Sequence, residues 1–340
     1  MTRDGVQVSV VLSFFNEAHV IPELLTRLRK SLQTCVERGT IGRYELVFVN
    51  DASTDGSESI LLREIESQGD VVLINTSRNF GVSECVMAGL EAAVGDAVIY
   101  MDADLQDPPE LIPEMIERWV NDENVDVVYT TRRDRAGEHQ AKLALTHFGY
   151  RLIRSISEID IPVDSGDFKL LSRRVVDELI KLRERKPYVR GLVSWVGFNQ
   201  VQVMYDRAPR FDGPRNTKFP VFSRRVIYGY LDRALISFSD APLKAALFLG
   251  FCISVLAGMY LVVVLIQKIM GWYVPGWPAL MAAIVFLGGV QITIMGLIGL
   301  YVGSIFSQVK GRPNYIIKNI VRKEPRRPGD EGGARADELA

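Results

Sequence analysis

The sequence predicts an α/β domain built on a mostly parallel sheet, followed by an interfacial helix and two transmembrane helices. Apolar strand-like runs alternate with amphipathic stretches through the first half of the chain, the pattern of a parallel sheet covered on both faces. Those runs end in polar segments rich in Asn, Asp, Ser and Gly. Further on, Ala245 to Ile266 and Gly271 to Gln308 carry no charged residue. Each exceeds the roughly 20 apolar residues that cross a bilayer.

Val6 to Leu12 reads as the first strand, ending at Ser13-Phe-Phe-Asn-Glu17, and Val20 to Leu32 then has the i, i+3, i+4 apolar spacing of a helix. Tyr44 to Val49 is the second strand. It ends at Asn50-Asp-Ala-Ser-Thr-Asp-Gly56, where Ser53 and Thr54 are candidate caps for a helix beginning near Ser57. Val71 to Ile74 is the third, ending at Asn75-Thr-Ser-Arg-Asn-Phe-Gly81 before a helix near Ser83 to Ala93. Ala97 to Met101 is the fourth, and Val125 to Thr130 a later one. In a parallel sheet the loops after successive strands meet at the carboxyl edge, where open α/β sheets bind ligands.

The fourth strand runs directly into Asp102-Ala-Asp-Leu-Gln-Asp107 and a turn through Pro108-Pro109. Two carboxylates at i, i+2 offer hard oxygen ligands suited to Mg²⁺ or Mn²⁺, which complete their shells with substrate phosphates and water. The expected substrate is a phosphorylated donor. A bare Asp-x-Asp more often marks a turn or a helix cap, but four polar strand ends converging on one crevice favour a site. Asp51, at the end of the second strand, is placed to accept from the N3–H of a uracil or an equivalent nucleobase donor.

At 340 residues, 48% hydrophobic and with a formal net charge of −1, the chain can bury a full core and has no global bias toward nucleic acid. Basic residues flank both apolar stretches: Arg224, Arg225, Arg233 and Lys244 before the first, and Lys310, Arg312, Lys318, Arg322 and Lys323 after the second. Only Lys268 lies between them. The positive-inside rule therefore places the catalytic domain and both termini in the cytoplasm, joined to a multi-pass hairpin with spans near 243–267 and 278–306. Met1 to Val6 leads straight into strand-like sequence, which predicts no signal peptide. Cys35, Cys85 and Cys252 are too scattered for a disulfide frame, and His19, His139 and His147 form no metal-ligand pattern.

Four regions follow: a cytoplasmic domain over 1–215, an amphipathic interfacial region over 216–241, a transmembrane hairpin over 242–308 and a basic tail over 309–340, disordered at its end. In the interfacial region Val221, Phe222, Ile227, Tyr228, Leu231 and Phe238 interleave with arginines, a pattern that lies in the headgroup plane. Gln140 to Ile156 is a second, weaker candidate. The spans lack charges, which disfavours a transport path. Gly299-Leu-Tyr-Val-Gly303 is a small-residue face able to pack helices or protomers into a homo-oligomer.

Phe15-Asn-Glu17, Val49 to Gly56, Ser77-Arg-Asn-Phe-Gly81, Met101 to Glu110 and Gly166-Asp-Phe168, followed by two spans, together resemble the polyisoprenyl-phosphate glycosyltransferases. These are inverting GT-A glycosyltransferases, and the likeness is to bactoprenol glucosyltransferases and dolichol-phosphate mannosyltransferases. The resemblance covers about 5–320. It departs where the family commonly has Pro and Tyr at the positions of Ser13 and Phe15, Asp at Asn50 and a basic residue near Val82.

The resemblance implies transfer of a sugar from a nucleotide donor to a polyprenyl phosphate at the inner face of the cytoplasmic membrane, with Mg²⁺ or Mn²⁺. It implies metal binding by Asp102, Asp104 and Gln106. Nucleotide binding falls to Ser13, Phe15, Asn16, Glu17, Asp51, Ser53, Arg78, Asn79 and Gly81. Asp167 matches the base position, although a lone Gly-Asp-Phe more often marks a turn. Arg132, Arg207, Arg210 and Lys218 are the candidate ligands of the acceptor phosphate, since Arg forks match phosphate oxygens. The motif Arg207-Ala-Pro-Arg210-Phe-Asp-Gly213 fits the family pattern, whereas Pro214 to Lys218 differs from it. UDP-glucose is the expected donor, with GDP-mannose, a UDP-N-acetylhexosamine or a UDP-4-amino-arabinose type as alternatives. A processive polysaccharide synthase usually carries a Gln-x-x-Arg-Trp motif and more spans. A membrane scaffold with a nucleotide-sensing domain predicts a degraded metal site.

Overall fold

The computed structural model describes residues 5–132, 165–185, 187–206, scattered positions between 246 and 271, and 276–323. The expected interfacial helix over 216–241, the candidate helix Gln140 to Ile156 and the chain from 324 onward lie outside the described residues. The first expected span, near 243–267, is described only at scattered positions.

An eight-stranded sheet organises the chain, in the order β7-β5-β6-β4-β1-β2-β3-β8. Its centre is parallel: β1 (Gln7–Phe14) lies between β2 (Arg43–Asn50) and β4 (Ala97–Asp102), with β3 (Val71–Thr76) beyond β2. On one side β4 pairs antiparallel with β6 (Ser165–Ser172), β6 antiparallel with β5 (Val127–Arg132), and β5 parallel with β7 (Gln200–Tyr205). On the other side β8 (Ile317–Arg322) closes antiparallel against β3.

Helices cover both faces, and the strand sequences show why. Val8, Val10, Leu12 and Phe14 of β1 join one core while Val11 joins the other, so the strand reads as a near-continuous apolar run. The first core takes α1 (Ile21–Glu37), α2 (Ser57–Ser67) and α4 (Ile112–Asn121) through Leu24, Leu28, Leu61, Ile65, Met115 and Ile116. The second takes α3 (Val82–Ala92), α5 (Arg173–Lys181) and α6 (Val189–Trp195) through Val86, Leu90, Val175, Leu179 and Leu192. Helix α1 has no side-chain cap and carries Pro in its first turn, so its buried stripe, more than its ends, holds it. Helix α3 crosses the sheet so closely that a Cβ on Gly89 would stand 2.2 Å from Val11 Cγ1.

The expected succession of strands and helices is present, with ends moved by a few residues; the helix expected over Val20 to Leu32 runs on to Glu37. Gly166-Asp-Phe168 lies within β6, not in a turn. Neither Ser53 nor Thr54 caps α2, whose N-cap is Gly56; Asp55 accepts from the Ser57 N–H instead.

After β7 the next long described element is α7 (Trp277–Val309), which matches the second expected span. At 33 residues it is about 50 Å long, beyond the roughly 30 Å of a bilayer core. Among the described residues it is the one helix long and apolar enough to cross a membrane. The chain then returns to the sheet. Gln308 Nε2 donates to the Arg183 carbonyl at 3.0 Å, Arg185 Nη1 to the Pro313 carbonyl at 3.2 Å, and the Tyr315 hydroxyl to Glu91 of α3. β8 follows at once.

Candidate functional site

The chain leaves β1 toward β2 and β3, then comes back to β4 on the other side of β1. Loops after β1 and β4 therefore part, and a crevice opens at their carboxyl ends. A cavity of about 200 Å³ occupies this position, lined among others by Ser13, Phe15, Glu17, Asp51, Asp102 and Asp104. Three of the four polar strand ends read from the sequence thus supply its wall.

Those loops are tied to one another more than to their own helices. The Asn16 N–H donates to Ser53 Oγ at 3.0 Å, the Thr54 N–H to Asn16 Oδ1 at 2.8 Å, and the Ala18 N–H to Asp55 Oδ2 at 2.9 Å. Asn50 donates to Asn75 at 2.9 Å, and Asn75 in turn to Glu58 at 2.8 Å. Asp51 is buried and accepts the N–H groups of Phe80 at 2.7 Å and Gly81 at 3.0 Å. Gly81 has φ 118°, a conformation that disfavours any side chain. Among the described residues, the three non-glycine residues with positive φ, Asn16, Ala52 and Leu105, all sit in loops at this edge. Such strain concentrates where surrounding structure holds a functional loop in place.

Asn79 donates to the Asp51 carbonyl at 3.4 Å, while Arg78 stacks over the Phe80 ring at 3.9 Å and donates to the Asn79 carbonyl. Cys85 lines the cavity beside Asp51; burial first, then the Asp51 charge, pushes its thiol pKa up, so it is an inert thiol.

Ser13 and Asp102 are register partners on neighbouring parallel strands, so their side chains share one face. The Ser13 hydroxyl is buried and has no hydrogen-bond partner among the described residues. Asp102 and Asp104 line the same cavity, and the Gln106 N–H donates to Asp104 Oδ1 at 3.1 Å. No group of three His, Cys, Asp or Glu side chains among the described residues forms a closed metal cage. Two carboxylates on an open cavity nonetheless fit Mg²⁺ or Mn²⁺, which take few protein ligands and fill their shells from phosphate and water. Asp107 is committed elsewhere: buried, it accepts from the Tyr205 hydroxyl at the end of β7.

Asp167 reaches the same edge from β6. Tyr100 and Lys169 are partners across β4 and β6, and alternation then puts Asp102 and Asp167 on that same face near the strand ends. Arg190 of α6 grips Asp167 with both arms, Nε to Oδ1 at 3.2 Å and Nη2 to Oδ2 at 2.5 Å. Burial, then the Asp167 charge, keeps the Tyr100 phenol protonated. Arg132 ends β5, whose carboxyl end lies at this edge because β5 runs parallel to β4. Arg207, Arg210 and Lys218 lie outside the described residues, although β7 ends at the same edge two residues before Arg207.

Sequence reasoning missed Arg190, Tyr205 and Lys169. Only Lys169 left a signal: a lysine flanked by Phe168, Leu170 and Leu171, two residues from Asp167 and so on its face of the strand.

Residues 9–180, from β1 through α5, match the family described as Glycosyl transferase family 2. The chain belongs to this family. It is a glycosyltransferase, and its relatives extend the likeness through the apolar helix. It is 40% identical over 323 residues to the "Uncharacterized glycosyltransferase YkcC" of Bacillus subtilis (strain 168), covering 95% of this chain and 96% of that one. It is 36% identical over 320 residues to the "SfII prophage-derived bactoprenol glucosyl transferase" of Shigella flexneri, covering 94% and 100%. Among solved structures, glucosyl-3-phosphoglycerate synthase from Mycobacterium tuberculosis aligns with a TM-score of 0.46 at 23% identity, covering 68% of this chain and 81% of that one.

Proposed function

We propose that this family-2 glycosyltransferase moves glucose from UDP-glucose, with inversion, onto the phosphate of a membrane polyprenol such as undecaprenyl phosphate, releasing UDP. The observation that carries the reading is the placement of Asp102, Asp104 and Asp51 around one cavity with Asp167 on the adjoining strand. Relatives named bactoprenol glucosyl transferases and a 33-residue apolar helix support the lipid acceptor.

In this reading the loops bearing Ser13, Phe15, Asn16, Glu17, Asp51 and Ser53, with Arg78, Asn79 and Gly81, form the nucleotide side of the crevice. Asp102 and Asp104, with Gln106 beside them, would hold Mg²⁺ or Mn²⁺. Bound there, the ion supplies Lewis-acid neutralisation of the leaving diphosphate. The acceptor phosphate, whose second pKa is about 6, arrives largely ionised and attacks the anomeric carbon from the side opposite the leaving group. Asp167 aligns it or takes its last proton, and Arg132, Arg207, Arg210 and Lys218 offset its charge. Catalysis takes place on the cytoplasmic face of the inner membrane, with a two-span hairpin as anchor.

The test incubates membranes containing the full chain with undecaprenyl phosphate, Mg²⁺ or Mn²⁺ and a panel of nucleotide sugars, and identifies the lipid product by mass. A hexosyl phospholipid from UDP-glucose is expected, lost in Asp104→Ala and Asp167→Ala. A chain that yields no glycolipid from any donor, or two variants at the wild-type rate, overturns the reading.

A further inference from the structure

One row below the Asp167–Arg190 pair, the Lys169 amine is fully buried and has no hydrogen-bond partner among the described residues. It lies in register with Tyr100 on β4 and Tyr129 on β5, and the Tyr100 hydroxyl is likewise buried without a partner. A buried unpaired ammonium is costly, and an apolar residue would fill the space at less cost. Lysine at this place therefore calls for a purpose beyond packing.

Burial pushes the Lys169 pKa from 10.5 down to about 7; Arg190 acts in the same direction, and Asp167 opposes both. Of the described charges, Arg190 and Asp167 are those that act on the Lys169 amine. On α3, Glu84 is buried in the first turn and Glu91 accepts from Tyr315. On α5, Arg173 holds the Ala93 and Gly95 carbonyls and Arg174 holds Asp126. Arg190 thus grips Asp167 and repels a proton on Lys169.

We propose that Lys169 is a positioning residue for Asp167, a buried second counter-charge that takes over when a substrate phosphate draws Arg190 away. This rests on the reading of Asp167 as the group facing the acceptor phosphate. An Arg fork closed on a carboxylate matches phosphate oxygens equally well, so an arriving phosphate dianion competes for Arg190. As Arg190 moves, its repulsion of the amine falls. Lys169 then takes one proton from solvent, and returns it when the product leaves. Asp167 keeps a cation beside it throughout and is held in place next to an anionic acceptor.

The experiment uses the full chain in lipid nanodiscs with UDP-glucose and undecaprenyl phosphate, comparing wild type, Lys169→Met, Lys169→Arg and Asp167→Asn across pH values on both sides of 7. Wild-type kcat/KM for the lipid is expected to fall as pH rises through about 7. Lys169→Met should lack that limb and lose up to about 100-fold in kcat, with the KM for UDP-glucose unchanged. Lys169→Arg should recover activity and hold it at high pH. Titration of the substrate phosphate is common to all four proteins and does not separate them. A folded Lys169→Met with the wild-type rate and profile overturns the inference; if that variant does not fold, identical profiles for wild type and Lys169→Arg do so. An unaffected Asp167→Asn overturns the underlying reading as well.

Discussion

Asp51 accepts the backbone N–H of Gly81 at 3.0 Å, with that of Phe80 at 2.7 Å on its other oxygen, so the loop after β2 anchors the start of α3. Asp51→Asn leaves one acceptor oxygen and turns an NH₂ toward an N–H. A loss of about 2–4 kcal/mol is expected for the two charge-assisted bonds, read as a fall in Tm. UDP affinity, measured by calorimetric titration, should fall with it because the cavity wall shifts. A variant with unchanged Tm would show that the loop is held by other contacts.

Gly89→Ala tests the approach of α3 to the sheet. The added methyl would meet Val11 Cγ1 at 2.2 Å and Val49 Cγ2 at 3.1 Å, and overpacking of this kind costs about 1–3 kcal/mol. Thermal unfolding should show the loss. Gly299→Ala, where an added Cβ meets nothing within 4 Å among the described residues, should show none.

Lys169 also makes stability depend on pH, with a definite sign. Its folded pKa of about 7 lies below the unfolded value near 10.5, so between the two the unfolded chain binds more protons and stability rises with pH. Below about 7 the full penalty of the buried ammonium is present; it is relieved progressively up to about 10.5. Lys169→Met should raise Tm most on the acid side, and the difference from wild type should shrink as pH rises. A Tm difference that does not vary with pH would contradict this sign.

Removal of divalent ions by a chelator should abolish sugar transfer, and added Mg²⁺ or Mn²⁺ should restore it in the wild type but not in Asp104→Ala. The assay is product mass per unit time. Full activity after exhaustive chelation would exclude a role for Asp102 and Asp104 as ion ligands.

The return of the chain from α7 to the sheet rests on few bonds. Arg185→Ala combined with Tyr315→Phe removes the donors to the Arg312 and Pro313 carbonyls and to Glu91. Hydrogen exchange of Ile317–Arg322 should speed up while β1 and β4 stay protected. Equal exchange in wild type and variant would mean that strand pairing alone holds β8.

Much of the fold was legible because its signals are local. The runs of β1 to β4 mark themselves by apolar composition, and the spacing in α1 by a period near 3.6. The strand β8 left no such mark: Ile317-Lys-Asn-Ile-Val-Arg322 is polar enough to read as tail, and becomes a strand only against the free edge of β3. In the crevice, Asp51, Asp102 and Asp104 were readable as residues ending apolar runs. Arg190 was not, since an arginine on a short helix looks like any solvated one until α6 is laid across β6.

By itself the sequence determined the order of strands and helices, the edge at which their polar ends meet and the apolar length of α7, because side-chain period and crossover connection are properties of the local chain. Tertiary structure alone decided that Asp167 shares a face with Asp102, that Arg190 is its counter-ion and that Lys169 is buried behind it. Those relationships depend on antiparallel register between β4 and β6 and on helix packing. Contacts between residues so distant in the chain leave no periodic trace in it.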